Sequence, residues 1–275
     1  MLQTEMFPEQ RQSNIAGGIK LYLADCREAD GSEGHVMITD PPYREHVHKK
    51  AVSQSPGRGV RVRNLGFGCL TPEVRDHIGR ITGRIPRWSI IYSDIESLAD
   101  WRNCLSGTYI RALPWVRWSM PQLSGDRPTS GCEMLTIAWG SQKGKKSWNG
   151  PGNLTHLAHK CLRGEGKHKT EKPLDQALDL VEFFSDPGET VFDPFMGHGT
   201  IGLACKILGR GYVGLDIDPK CYEVATARIH AETLSKRDSK RYARYLAAKQ
   251  LREEEAVKIA ANTARVRAKA ERRVA

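Results

Sequence analysis

What narrows the fold first is a series of short segments, apolar on both faces, separated by stretches with helical periodicity. Seven such segments stand out, at residues 20–24, 35–39, 88–92, 109–116, 134–139, 190–193 and 212–217. Helical patterns fall between them at 72–81, 95–105, 174–184 and 200–208, and a last one runs from Pro219 and Lys220 to the chain end. Strands without a polar face need cover on both sides, so the reading is an α/β fold with helices on each face of a seven-stranded sheet. A chain of 275 residues can bury such a core in one large domain.

Charge says what kind of partner to expect. The chain holds 42 Lys and Arg against 32 Asp and Glu, a formal charge of +10, which favours a polyanion. Residues 231–275 carry 13 of the basic and 6 of the acidic side chains, so they read as a basic helical tail on a nearly neutral body. No stretch has the roughly 18 uninterrupted apolar residues of a membrane span, and residues 1–10 lack a secretion signal's basic start and apolar run. The expected location is the cytoplasm, with no membrane partner. Seven cysteines stand singly without a CxxC pair, which suggests reduced thiols and neither a metal site nor a disulfide framework. Two long segments lack a clear element: 44–70, basic and rich in Gly, and 140–172, rich in Lys, Gly and His.

Residues 190–200 read TVFDPFMGHGT. A strand ends on Asp193, a turn carries Gly197 and Gly199, and Thr200 opens a helix, an arrangement that lets backbone approach a ligand at free helix N–H groups. Residues 212–218 read YVGLDID, placing Asp216 at a strand's carboxyl end, where a carboxylate can accept both hydroxyls of a ribose. That spacing is the spacing of a nucleoside-binding β-α-β unit. A phosphate loop is the weaker reading, because no GK[ST] is present.

Asp40, Pro41, Pro42 and Tyr43 (DPPY) follow the apolar strand 35–39 directly. Ligands of open α/β sheets bind at strand carboxyl ends, and paired prolines fix the backbone there. A carboxylate beside a fixed carbonyl can accept both protons of an exocyclic amine, while Tyr43 offers a face to a planar base. The combination suits a base drawn out of its stack.

DPPY, then HKTEKP at 168–173, DPFMGHGT and GLDID, in this order, resemble the motif set of the beta-class DNA amino-methyltransferases of bacteria and phages. The resemblance spans roughly residues 21–229 and implies transfer of a methyl group from S-adenosylmethionine to adenine N6 or cytosine N4. It implies a mixed, mostly parallel Rossmann-like sheet, circularly permuted so that the target motif precedes the cofactor motif. LYLADC (21–26) resembles the strand whose Asp25, with Cys26, approaches the cofactor adenine, and residues 115–133 resemble the segment that shapes the catalytic pocket. Asp216 is thereby assigned to the ribose, Phe195, Gly197, Gly199 and Thr200 to the methionine half, and Lys172 to its carboxylate. Asp193 is a loop organiser or an ammonium partner, and Asp40 borders the cofactor as well as the target. His198 and Asp216 depart from the residues commonest in the family, Ser or Ala and Glu.

The expected organisation is a methyltransferase domain at 1–230, with a basic loop at 44–70 and a target-recognition insert at 140–168, followed by the tail at 231–275. Expected DNA contacts are Arg44, Lys49, Lys50, Arg58, Arg61 and Arg63 in the first loop and Lys143, Lys145, Lys146 and Trp148 in the second. DPPY favours adenine N6 over cytosine N4 by family statistics. RNA adenine methylation and a non-catalytic DNA-binding role are the alternatives, and a homodimer is an assembly common among such enzymes.

Overall fold

The computed structural model describes residues 12–15, 17–44, 52–54, 60–62, 68–118, 131–143, 146–152, 154–160 and 171–274. In chain order the elements are β1 (Gln12–Ile15), β2 (Ile19–Leu23), β3 (Val36–Thr39), β4 (Val52–Gln54), β5 (Val60–Val62), α1 (Pro72–Ile81), β6 (Trp88–Ser93) and α2 (Leu98–Cys104). Then come β7 (Thr108–Trp118), β8 (Cys132–Trp139), β9 (Leu157–Lys160), α3 (Leu174–Phe184), β10 (Thr190–Asp193), α4 (Thr200–Leu208), β11 (Gly211–Asp216), α5 (Pro219–His230) and α6 (Lys236–Val274). The chain divides into two units, Met1–Thr233 and Leu234–Ala275.

The first unit is built on a nine-stranded sheet in the order β1-β2-β11-β10-β3-β6-β8-β7-β9. From β2 to β6 the neighbours run parallel, β8 reverses against β6, and β7 and β9 return to the β6 direction. Strands β3 and β6 are buried along their whole length, the small hydroxyl side chains Thr39, Ser89 and Ser93 included. One face packs Met37, Ile91, Phe192, Val213 and Leu215 against Ile78 and Ile81 of α1 and Trp101 of α2. On the other face, Trp88 meets Phe184 of α3 edge to face at 5.7 Å, and Tyr212 lies against Gly202 of α4. A side chain at Gly202 would put its Cβ 2.7 Å from the Tyr212 ring, and one at Gly214 would come within 2.5 Å, so these two glycines make the room for that ring.

All seven expected strands are present, with additions and two corrections. Strand β1 pairs antiparallel with β2 through a turn in which Gly17 and Gly18 take φ of 87° and 77°, and β9 lies inside the segment that showed no pattern. Strands β4 and β5 form a separate two-stranded hairpin within the basic loop. The helix expected at 95–105 begins as a 3-10 turn at Ile95–Ser97, because Asp94 caps it early by accepting from Ser97 N–H. The single helix expected after Asp218 is two: α5 stops at His230, where Ala231 turns to ψ 132°, and α6 starts afresh. Ser235 accepts from Asp238 N–H and donates to its carboxylate, an S-x-x-D cap whose spacing was present in the sequence.

Candidate active site

Because β2, β11, β10, β3 and β6 run parallel, their carboxyl ends share one edge of the sheet. That edge gathers Asp25, Asp216, Asp193 and Asp40 from four distant stretches of chain. Strand β8 runs the opposite way, so its beginning, with Glu133, is what reaches the same edge.

On the β10–β11 side Asp193 is 2% exposed and accepts from Thr39 Oγ1 at 2.9 Å, Phe195 N–H at 3.2 Å and Tyr212 O–H at 3.1 Å. Burial pushes its carboxyl up to about 7 against the pull of those three donors. It therefore fixes the loop that follows. Gly199, left-handed at φ 70°, caps α4, and a Cβ there would meet Ala225 and Ile229 at 3.0 Å. A Cβ at Gly197 would meet nothing within 4 Å, so the turn opens onto free space. Asp216 accepts from the N–H groups of Gly197 and Asp218, both at 2.9 Å, and burial raises its pKa.

Two residues that the sequence did not single out brace this loop. Arg228 of α5 donates through Nη1 to Glu171 Oε1 at 2.9 Å, to the His198 carbonyl at 3.1 Å and to Thr200 Oγ1 at 3.0 Å. Glu171 is 3% exposed in its side chain and lies 3.8 Å from His198 Nδ1. Asp25, by contrast, caps a short 3-10 turn and accepts from Arg27 at both oxygens, which holds its pKa down to about 2; Cys26, beside it, is buried.

The Asp40 end is held by charge. Lys172, 9% exposed, donates to Asp40 Oδ2 at 2.6 Å and lies 3.1 Å from Glu133 Oε2. Its ammonium stands 4.9 Å from the centre of the Tyr92 ring and 5.6 Å from that of Tyr43. Tyr43 donates its hydroxyl to the same Glu133 oxygen at 2.5 Å, and its carbonyl accepts from Leu70 N–H. Pro41 is buried, while Pro42 and Tyr43 are half-buried. Desolvation pushes the Asp40 carboxyl up to about 6; Lys172 pulls it down and Glu133 pushes it further up. Burial alone would lower the pKa of Lys172, but the two carboxylates outweigh it and raise it. Asp40 Oδ1 is buried and has no hydrogen-bond partner among the described residues.

The ammonium of Lys172, expected at the cofactor carboxylate, is engaged in this structure by Asp40 and Glu133. The described residues expected at nucleic acid fall in two places. Arg44 is drawn to the acidic turn before and within α2, lying 3.2 Å from Asp94, 3.7 Å from Glu96 and 3.6 Å from Asp100, so it ties down the exit from DPPY. Lys143, Lys146 and Trp148 follow the end of β8, which the pairing of Trp139 with Trp88 puts at the amino edge of the sheet. That edge is five residue steps along β6 from the catalytic one, about 17 Å. There Trp148 packs on Phe184 at 4.9 Å and Lys146 covers the Trp139 ring. Lys49, Lys50, Arg58, Arg63 and Lys145 lie outside the described residues, as do 161–170, and Arg61 falls on β5.

Among the described residues no helix is long and apolar enough to cross a membrane, and no group of three His, Cys, Asp or Glu side chains could hold a metal ion. The site offers a ligand an open turn at Gly197, a carboxylate at Asp216 and, among the described residues, an unpartnered acceptor at Asp40 Oδ1, which fits a cofactor beside an amine substrate.

The chain is similar to known proteins in the same sense. The DNA methylase family of the N6/N4 type matches residues 88–227. The type II methyltransferase M2.DpnII of Streptococcus pneumoniae is 33% identical over 231 residues, covering 72% of this chain and 82% of that protein. M.HpaI of Haemophilus parainfluenzae is 33% identical over 84 residues, covering 30% of this chain and 27% of that one. Among solved structures, the M1.HpyAVI–SAM complex has a TM-score of 0.59 at 23% identity, covering 78% of this chain and 100% of that one. The cytosine-N4-specific PvuII DNA methyltransferase has a TM-score of 0.56 at 12% identity, covering 84% and 93%. Those two likenesses carry the fold, while the family match and the M2.DpnII alignment carry the lineage: the chain belongs to the N6-adenine/N4-cytosine DNA methyltransferases, which use S-adenosylmethionine.

Proposed function

We propose that this chain methylates the exocyclic N6 of adenine in DNA, on a base turned out of the helix, with Asp40 as the acceptor of the amine proton. The observation that carries the reading is Asp40 Oδ1, a buried acceptor with no partner among the described residues, at the start of a rigid DPPY turn. An amide-like amine is a poor nucleophile because its lone pair is delocalised into the ring. Hydrogen bonds from its two protons to Asp40 Oδ1 and the Pro41 carbonyl favour a pyramidal nitrogen whose lone pair is directed out of the ring plane.

When bound, S-adenosylmethionine supplies a methyl carbon on a sulfonium sulfur, so the amine's lone pair makes the N–C bond while the C–S electron pair returns to sulfur. The nitrogen, now cationic, is strongly acidic, and its extra proton passes to Asp40 or to water. Tyr43 stacks on the displaced base, a contact worth about 1 to 3 kcal/mol in single-strand binders. In the cofactor half, Asp216 takes the ribose hydroxyls, each oxygen keeping a lone pair beyond its present bond, and Asp25 takes the adenine amine through Oδ2, which accepts only once from Arg27. Cys26 borders the adenine, and Phe195, Gly197, Gly199 and Thr200 border the methionine half. Lys172 and the first-turn N–H groups of α4 are the partners offered to the methionine carboxylate.

DPPY in place of the SPPY commoner among cytosine enzymes supports adenine. The basic loop 44–70 and the insert 140–168 supply the candidate phosphate contacts. The test is nucleoside analysis by mass spectrometry of DNA from cells that express the chain. N6-methyladenine is the expected product; N4-methylcytosine would overturn the choice of base, and neither mark would point to RNA or to a binding role.

A further inference from the structure

We propose that Glu133 is a positioning residue for this reaction, holding Tyr43 and Lys172 so that Asp40 turns Oδ1 toward the target amine. The inference rests on the reading of Asp40 given above and adds a residue from a distant strand. Glu133 stands opposite Trp115 in the β7–β8 ladder, at the end of β8 that reaches the catalytic edge, with its side chain 13% exposed. Its Oε2 accepts the Tyr43 hydroxyl at 2.5 Å and lies 3.1 Å from Lys172 Nζ. One oxygen thus ties the stacking ring to the ammonium, and the ammonium in turn holds Asp40 Oδ2 at 2.6 Å. Of the two Asp40 oxygens, this leaves Oδ1 without a partner among the described residues.

A neutral acceptor could make the same two hydrogen bonds, so the negative charge needs its own reason. Lys172 and Asp40 alone would neutralise each other and leave Asp40 a weak base. A second carboxylate on the same ammonium restores part of that basicity, which helps Asp40 take the proton released after transfer. The charged and titratable groups around Asp40 are Tyr43 from its own turn, Tyr92 from β6, Glu133 from β8, Asp193 from β10 and Lys172 from the segment before α3. Of the acids, Glu133 is the one that shares Lys172 with Asp40.

The experiment uses the full chain with Glu133→Gln, which keeps shape and hydrogen-bonding capacity but removes the charge. Carbon-13 NMR follows the Asp40 carboxyl titration without substrate, and single-turnover methyl transfer is measured from pH 5 to 9 beside cofactor affinity. The expected result is an Asp40 midpoint and acid limb moved to lower pH, a plateau rate at least tenfold lower, and cofactor affinity within twofold of wild type. An unchanged midpoint with an unchanged plateau would overturn the inference. Should Glu133→Gln not fold, Tyr43→Phe removes only the hydroxyl that Glu133 accepts; a lower rate with cofactor affinity kept is expected, and an unchanged rate overturns the inference. The NMR midpoint needs no nucleic acid, so a wrong choice of base would show in the nucleoside analysis and leave this result to be judged by itself.

Discussion

Lys172→Met removes the ammonium between Asp40 and Glu133 while keeping most of the side chain's volume. Breaking one side of a buried ion pair costs about 3 to 5 kcal/mol if the stranded carboxylates stay charged. Here they have a way out, because Asp40 is already pushed up to about 6. Taking up a proton one pH unit above a pKa costs about 1.4 kcal/mol, so at pH 7 the loss is held to about 1 to 3 kcal/mol. For a chain of this size that lowers Tm by about 2 to 6 °C. The sign with pH follows from the direction of the shift: a carboxyl whose folded pKa is raised favours its protonated form, so the stability it contributes is present at low pH and lost as pH rises. Without Lys172 the Asp40 pKa rises further, the destabilisation grows from pH 6 to 8.5, and the acid limb of methyl transfer moves up from about 6. Calorimetry across that range, beside a pH profile of methyl transfer, checks both. An unmoved acid limb together with an unchanged Tm would refute the argument that Lys172 sets the charge state of Asp40.

Gly214→Ala would put a Cβ 2.5 Å from the Tyr212 ring, displacing its hydroxyl from Asp193; overpacking and the lost bond together cost about 2 to 5 kcal/mol, read by denaturant unfolding. Arg228→Met strips three contacts from the turn that carries Gly197 and Gly199, so cofactor affinity should fall about tenfold by calorimetry with the acid limb of the rate unmoved. Because Lys143 and Lys146 sit at the amino edge, the double alanine variant should keep its plateau methylation rate within twofold in a single-turnover assay. If α6 meets DNA phosphates, replacing the exposed Lys240, Lys258 and Arg265 by Gln should flatten the slope of log affinity against log salt by about 0.9 for each residue that does so.

The central strands were legible because β3 and β6 carry no charged residue and only small hydroxyls beside their apolar side chains and Tyr92, and Asp40, Asp193 and Asp216 were legible because each closes such a strand. The edge strands were not. QSNI and LAHK are four residues each, the first mostly polar and the second half so, too short for a period to stand out. The partners of Lys172 were hidden by distance: Asp40 lies 132 positions away, and Glu133 reaches it only because β8 runs backwards. The same reversal explains the placing of Lys143, Lys146 and Trp148. A basic loop after a strand reads alike in either direction, and direction decides which edge it leaves from. The acids that hold Arg44, Asp94, Glu96 and Asp100, were hidden in the same way, since they come some fifty residues later.

The most direct test of the account is Asp40→Ala beside wild type, with transfer of a labelled methyl group to DNA and affinity for S-adenosylmethionine measured on the same preparations. The account predicts that transfer falls at least a thousandfold while the variant stays folded and binds the cofactor within about fivefold of wild type. Retention of most of the transfer activity in Asp40→Ala would contradict it.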